Sequence, residues 1–308
     1  MKKETGILLV ALIIDVVFAA LATLWMCFVG YVDEKSSVLI FFTLLVLGFF
    51  LYSPFLGIPA KSNKKSGWGS NIFGLLMAVL LAFGIRIFAY EPYNIPSGSM
   101  FPTLLIGDHL FISKFSYGYS RHSFPFSLPV IPHGRIFEKM PEIGDVVVFR
   151  VTPEMIPTLQ MSVDYIKRVV ALPGDTIQMK QGRLYINGIM AEREFVKKEE
   201  VEIEGKKVVY MRYVETLPNG VKHDIYEIDD MISKDDTPLI TVPEGYFFAM
   251  GDNRDNSYDS RFFGAVPLTH LEGKAEFIFY SNNGKGFFFE FWRWPEFVRT
   301  ERIFNKIK

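Results

Sequence analysis

Cysteine is nearly absent: the 308 residues hold one, Cys27. A lone thiol forms no intrachain disulfide and has no CxxC partner for a metal, so the polar part of the chain must fold on its core alone. Charge imbalance is missing too. The net charge is −1, which gives no bulk attraction to nucleic acid, and none is expected as a partner. No internal repeat, low-complexity tract, metal motif or cofactor motif is present, and no cofactor is expected. The acidic stretch Gly251–Gly264 fails as a calcium loop, because counting from Asp255 the sixth position is Ser260 and the twelfth is Val266. The chain also lacks the G-x-S-x-G elbow that presents a nucleophilic serine in α/β-hydrolases.

Apolar length is abundant. The composition is 49% hydrophobic with a mean hydropathy of +0.19, high for a soluble protein. Gly6–Val32, Val38–Leu56 and Ile72–Tyr90 are each long enough to span a bilayer as a helix. Lys2, Lys3, Lys61, Lys64 and Lys65 flank these runs. Placing them in the cytoplasm predicts an inside N-terminus, an outside first connector and an outward third helix. Residues 1–90 are thus expected to be a membrane anchor of three helices, with everything after Tyr90 outside. Met1-Lys2-Lys3 and Ala20-Leu21-Ala22 also resemble a cleavable signal peptide, but the run continues well past Ala22.

Beyond Tyr90 the pattern changes to short β-branched runs between turn formers, so residues 91–308 are read as mostly β. Gly144–Arg150 and Asp164–Val170 read as strands. Asn187-Gly188 marks a two-residue hairpin, and Pro218-Asn219-Gly220 marks another. Charge density rises between about Lys180 and Thr241, and residues 181–242 are expected to form an inserted β subdomain.

Just after the third apolar run stands Pro96-Ser97-Gly98-Ser99-Met100-Phe101-Pro102-Thr103. Serine is a poor nucleophile until a base takes its proton. The five histidines include His109, the best candidate for a Ser–His–Asp arrangement. Lysine is the alternative, provided that burial removes its charge. Alternation along Tyr165-Ile166-Lys167-Arg168-Val169 puts Lys167 on one face with Tyr165 and Val169, and turns Arg168 to the other face, where it needs a partner. The polar density of Gly251–Gly264 beside apolar residues suggests a buried, self-satisfied network. An S-x-x-K pattern at Ser62–Lys65 lies in the predicted cytoplasmic connector without a following K-T-G, which argues against a penicillin-recognising enzyme.

Four blocks taken together resemble the bacterial type I signal peptidases, membrane-bound Ser–Lys endopeptidases: Pro96–Asp108, Gly144–Phe149, Asp164–Asp175 and Gly251–Gly264. The resemblance implies Ser99 as nucleophile and Lys167 as general base. It implies Ser97 as an oxyanion donor beside the Ser99 N–H, and Ser257 as the serine that orients the lysine. Asp259 and Arg261 correspond to a supporting ion pair, and Asp252 to the partner of Arg168. Tyr93, Ile95, Met100, Leu104, Tyr165 and Ile166 fall where the family lines its substrate pockets. The implied substrates are the signal peptides of exported preproteins, with small residues at the first and third positions before the cut. The implied location is the bacterial inner membrane, with catalysis on the periplasmic side, near lipid and the secretion translocon. The aromatic stretch Phe287–Phe297, read as a strand with Trp292 and Trp294 on one face, is expected at the lipid interface. A binding module that kept this fold without the reaction would not need the complete serine–lysine set.

Overall fold

Short β-branched runs fold as strands because their side chains suit a pleated, half-buried surface. The computed structural model describes residues 84–124, 131, 134–203, 206–229, 234–283 and 291–308. The chain divides into two compact units, Met1–Ala89 and Tyr90–Lys308. Of the first, residues 84–88 are helical. The first two apolar runs and most of the third lie outside the described residues. Among the described residues no helix is long and apolar enough to cross a membrane.

The second unit contains β1 (Tyr90–Asn94), β2 (Asp108–Ser113), β3 (Val146–Val151), β4 (Val163–Ala171), β5 (Thr176–Lys180), β6 (Arg183–Ile186) and β7 (Ile189–Met190). There follow β8 (Glu192–Ile203), β9 (Lys206–Thr216), β10 (Lys222–Glu227), β11 (Ile240–Thr241), β12 (Tyr246–Met250), β13 (Val266–Pro267) and β14 (Leu271–Ser281). Tyr90 therefore opens a strand instead of closing the third apolar run. A seven-stranded sheet runs in the order β1-β2-β14-β3-β4-β12-β13. Residues 181–242 hold β6 to β11, which with β5 form two small sheets, β10-β9-β8 and β11-β5-β6-β7. The Asn187-Gly188 hairpin forms with φ of 53° and 77°, the left-handed pair that a two-residue turn needs.

β3 has almost no polar residue because both of its faces are covered. Val147, Phe149 and Val151 enter one apolar cluster, with Val169, Phe247 and Leu271. Val146 and Val148 enter the other, with Ile95, Met100, Leu104 and Leu110. The sheet also curls. β1 and β4 are four strand spacings apart in sheet order, roughly 19 Å if flat. Yet Tyr93 Oη of β1 lies 3.4 Å from Asp164 Oδ2 of β4. Curling brings the free edge of β1 round toward the first half of β4. That half has β3 on one side, whereas β12 pairs only from Arg168 onward.

Trp292 and Trp294 do not share a strand face. Phe291–Arg293 is a 3-10 turn and Trp294–Phe297 a short helix with Pro295 in its first turn, where proline is tolerated. Trp292 is exposed.

Candidate active site

The turn that bears Ser99 is anchored on both sides. Ile95 donates its N–H to Asp108 O at 2.8 Å, extending the β1–β2 pairing, and Phe101 N–H closes a turn onto Gly98 O at 3.1 Å. Met100 and Leu104 are fully buried below. Ser97 is exposed and Ser99 half-buried. Their hydroxyl oxygens lie 3.4 Å apart. The Ser99 backbone N–H has no acceptor among the described residues.

β4 delivers Lys167 to this turn. Its Nζ donates to Ser99 Oγ at 2.7 Å and to Ile166 O at 2.8 Å. The amine lies 5.3 Å from the centre of the Tyr165 ring, so alternation assigned the face correctly. Lysines on strands are usually solvated, yet this one is only 4% exposed. Burial is the main reason that its pKa falls to about 8, with Arg261 lowering it further against the opposing pull of Asp259 and Asp252. His109 is placed elsewhere, its ring beside those of Phe279 and Tyr280.

On the opposite face of β4, Arg168 meets Asp252 in a two-pronged pair at 2.8 and 2.7 Å. Arg168 also donates to Gly144 O and Lys308 O, and Thr103 Oγ1 donates to Asp252. Asp259 is a second hub. It accepts from Arg261 Nε and Nη2 at 2.9 Å each, and from Gly251 N–H at 2.9 Å. It also accepts from Ser257 Oγ at 2.8 Å. Burial alone would raise this carboxyl, but Arg261 outweighs it and the pKa is lowered. The Ser257 hydroxyl thus donates to Asp259, whose charge in turn acts on the Lys167 amine. Gly251 separates Ser257 from the Ser99 turn. A Cβ there would lie 2.2 Å from Ser257 Oγ and 2.5 Å from Ser99 O.

The six expected pocket residues divide by depth. Ile95, Met100 and Leu104 belong to the buried core, with Tyr93 and Ile166 partly buried against them. Tyr165 packs on the other cluster, beside Phe149. Tyr258 lies on the surface against Phe262 and Phe263.

Two features escaped sequence reasoning. One is a polar lattice: Tyr93 donates to Glu272 Oε2 at 2.5 Å, while Arg150 pairs with Glu272 and Asp164. Burial, then Asp164, push the Glu272 carboxyl up to about 7 against the pull of Arg150. These residues are far apart in sequence, so no local pattern signals them. The other is Asn253, whose N–H donates to Ser99 O at 3.1 Å and whose Nδ2 donates to Gly98 O at 3.0 Å. Its signal was its place in the polar block after Gly251.

The chain was also compared with known proteins. The family described as signal peptidase, peptidase S26, matches residues 68–280. A signal peptidase I of Rickettsia massiliae is 41% identical over 268 residues, covering 80% of this chain and 96% of the relative. That of Rickettsia prowazekii is 39% identical over 266 residues, with the same coverage. The crystal structure of a signal peptidase I from Enterococcus faecalis matches 44% of this chain and 97% of its own at 26% identity, with a TM-score of 0.26, too slight a likeness to bear on the fold. A family match that spans all four sequence blocks, joined to relatives near 40% identity along almost their whole length, leads to one conclusion: the chain belongs to the signal peptidase family, peptidase S26, as a bacterial type I signal peptidase, a serine endopeptidase that removes signal peptides.

Proposed function

We propose that Ser99 and Lys167 form a nucleophile–base dyad that cuts exported preproteins after small residues at the first and third positions before the scissile bond. The observation that carries this reading is the contact between Lys167 Nζ and Ser99 Oγ, 2.7 Å, in a site dry enough to hold the amine near 8. In its neutral form the amine takes the Ser99 proton as Oγ bonds to the substrate carbonyl carbon. The carbonyl oxygen becomes an oxyanion, stabilised by the Ser99 N–H and the Ser97 hydroxyl. Collapse breaks the C–N bond, and the proton on Lys167 passes to the leaving amine. The remaining acyl ester is hydrolysed when Lys167 takes a proton from water and returns it to Ser99 Oγ.

The substrate enters as an extended chain. The first half of β4 and the outer edge of β1 each lack a second strand partner among the described residues. A peptide laid between them gains backbone hydrogen bonds from both edges and sends alternate side chains to one side. That alternation makes the first and third residues before the cut the ones that meet the wall. Tyr93 and Ile166, packed against the same cluster, line that wall, which favours small side chains. The predicted anchor holds the chain in the inner membrane, with this cleft on the periplasmic side beside lipid and the translocon.

The test uses the purified full chain with a preprotein substrate. Ser99→Ala and Lys167→Ala should each reduce cleavage at least about 10³-fold. Lys167→Arg should not restore it, because a guanidinium keeps its proton. Cleavage at the wild-type rate by either alanine variant would remove the dyad.

A further inference from the structure

A peptide unit is a rigid plane whose C=O and N–H point opposite ways. Whatever fixes one residue's carbonyl therefore aims the next residue's N–H. The N–H of Ser99 shares its plane with the Gly98 carbonyl. Glycine lacks a Cβ to restrict the rotation of that plane, so other groups must hold it. Gly98 O accepts from Phe101 N–H at 3.1 Å and from Asn253 Nδ2 at 3.0 Å. Asn253 also donates its own N–H to Ser99 O at 3.1 Å. One residue thus grips the peptide planes on both sides of the Ser99 Cα.

Asn253 is fully buried, and its Oδ1 finds no partner among the described residues. An unpaired buried oxygen is destabilising, and leucine would supply the same shape without it. Packing alone does not account for an amide here, whereas the donation from Nδ2 does. The residue is itself held from outside the catalytic sheet. Tyr226 of β10 bridges to Asn253, and Tyr210 Oη of β9 lies 3.4 Å from Nδ2. The two tyrosine rings stack at 4.9 Å and pack with Phe101.

We propose that Asn253 is a positioning residue that locks the Gly98–Ser99 peptide so that the Ser99 N–H faces the oxyanion. This rests on Ser99 being the nucleophile. Asn253 touches no reacting atom. It acts through the Gly98 carbonyl.

Asn253→Leu in the full chain should lower kcat about 10- to 100-fold, somewhat less than deleting an oxyanion donor outright. KM should stay within about twofold, because only the transition state is affected. The pH at which kcat/KM rises should not move, since Lys167 is untouched. A peptide aldehyde ending in Ala-x-Ala, whose adduct with Ser99 places an oxygen in the same hole, should bind more weakly by a similar factor. The matching peptide amide, which forms no adduct, should bind as before. Wild-type kcat in Asn253→Leu, or equal weakening of aldehyde and amide, overturns the proposal. Asn253→Ser repeats the test should the leucine variant not fold, and loss of cooperative unfolding in both makes the residue structural and overturns it as well. A wild-type rate in Ser99→Ala would instead sink the dyad itself, so the two failures are distinguishable.

Discussion

At pH 7 an amine with a pKa of about 8 is neutral in about one molecule in ten. Activity should therefore rise with pH through about 8. The same burial has a stability consequence whose sign is fixed. Lys167 is lowered in the fold from an ordinary value of 10.5, so the unfolded chain binds more protons between about 8 and 10.5. The penalty, about 3 kcal/mol, is complete below 8 and disappears as pH rises toward 10.5. Lys167→Met should accordingly abolish cleavage while raising unfolding free energy at pH 7 by up to that amount. The gain should shrink between pH 8 and 10.5. Denaturant titrations of the solubilised chain at several pH values check this, and a gain that does not change with pH would contradict the account. The face of Lys167 was legible in the alternation of Tyr165-Ile166-Lys167. Its dryness was not, because burial depends on strands that arrive from elsewhere in the chain.

The loop after β12 and the Ser99 turn meet at Gly251, where there is no space for a side chain. Gly251→Ala would drive a methyl group toward Ser99 O and Ser257 Oγ, at 2.5 and 2.2 Å. Neither the backbone oxygen nor the buried hydroxyl can yield easily. The variant should lose about 1–3 kcal/mol of stability. It should also lose kcat beyond what the unfolded fraction explains, as steady-state assays corrected for active enzyme would reveal. A variant with unchanged kcat would show that the turn can shift without consequence. Element positions were largely readable: β3, β4 and both hairpins follow from β-branched runs and Asn-Gly turns. The tryptophan pair was misread because Pro295, at a helix start, was taken for part of an extended stretch. For Ser257 the resemblance offers Lys167, and the bond that its hydroxyl donates goes to Asp259 two residues on.

Across the whole second unit, the β8–β10 sheet is fastened to the seven-stranded sheet by buried charge. Glu215 of β9 and Arg254 form a two-pronged pair, fully buried, with His223 of β10 lying between Glu215 and Asp252. Burial alone would raise the Glu215 carboxyl, but Arg254 and His223 outweigh it and hold it well below the usual range. Glu215→Ala strands the Arg254 charge and should cost about 3–5 kcal/mol. Glu200→Ala breaks an ion pair whose partners are 52% and 69% exposed, and should change stability by less than about 1 kcal/mol. Comparative denaturant unfolding decides between them, and equal effects would contradict the claim that this junction is dry. Finally, Tyr93, Glu272, Arg150 and Asp164 tie β1, β14, β3 and β4 together through contacts of their own. A slot laced in advance spends no binding energy on clamping down. On the proposed reading of the cleft, a rigid gauge of that kind would screen arrivals by size at the two positions before the cut and leave the rest of their sequence free.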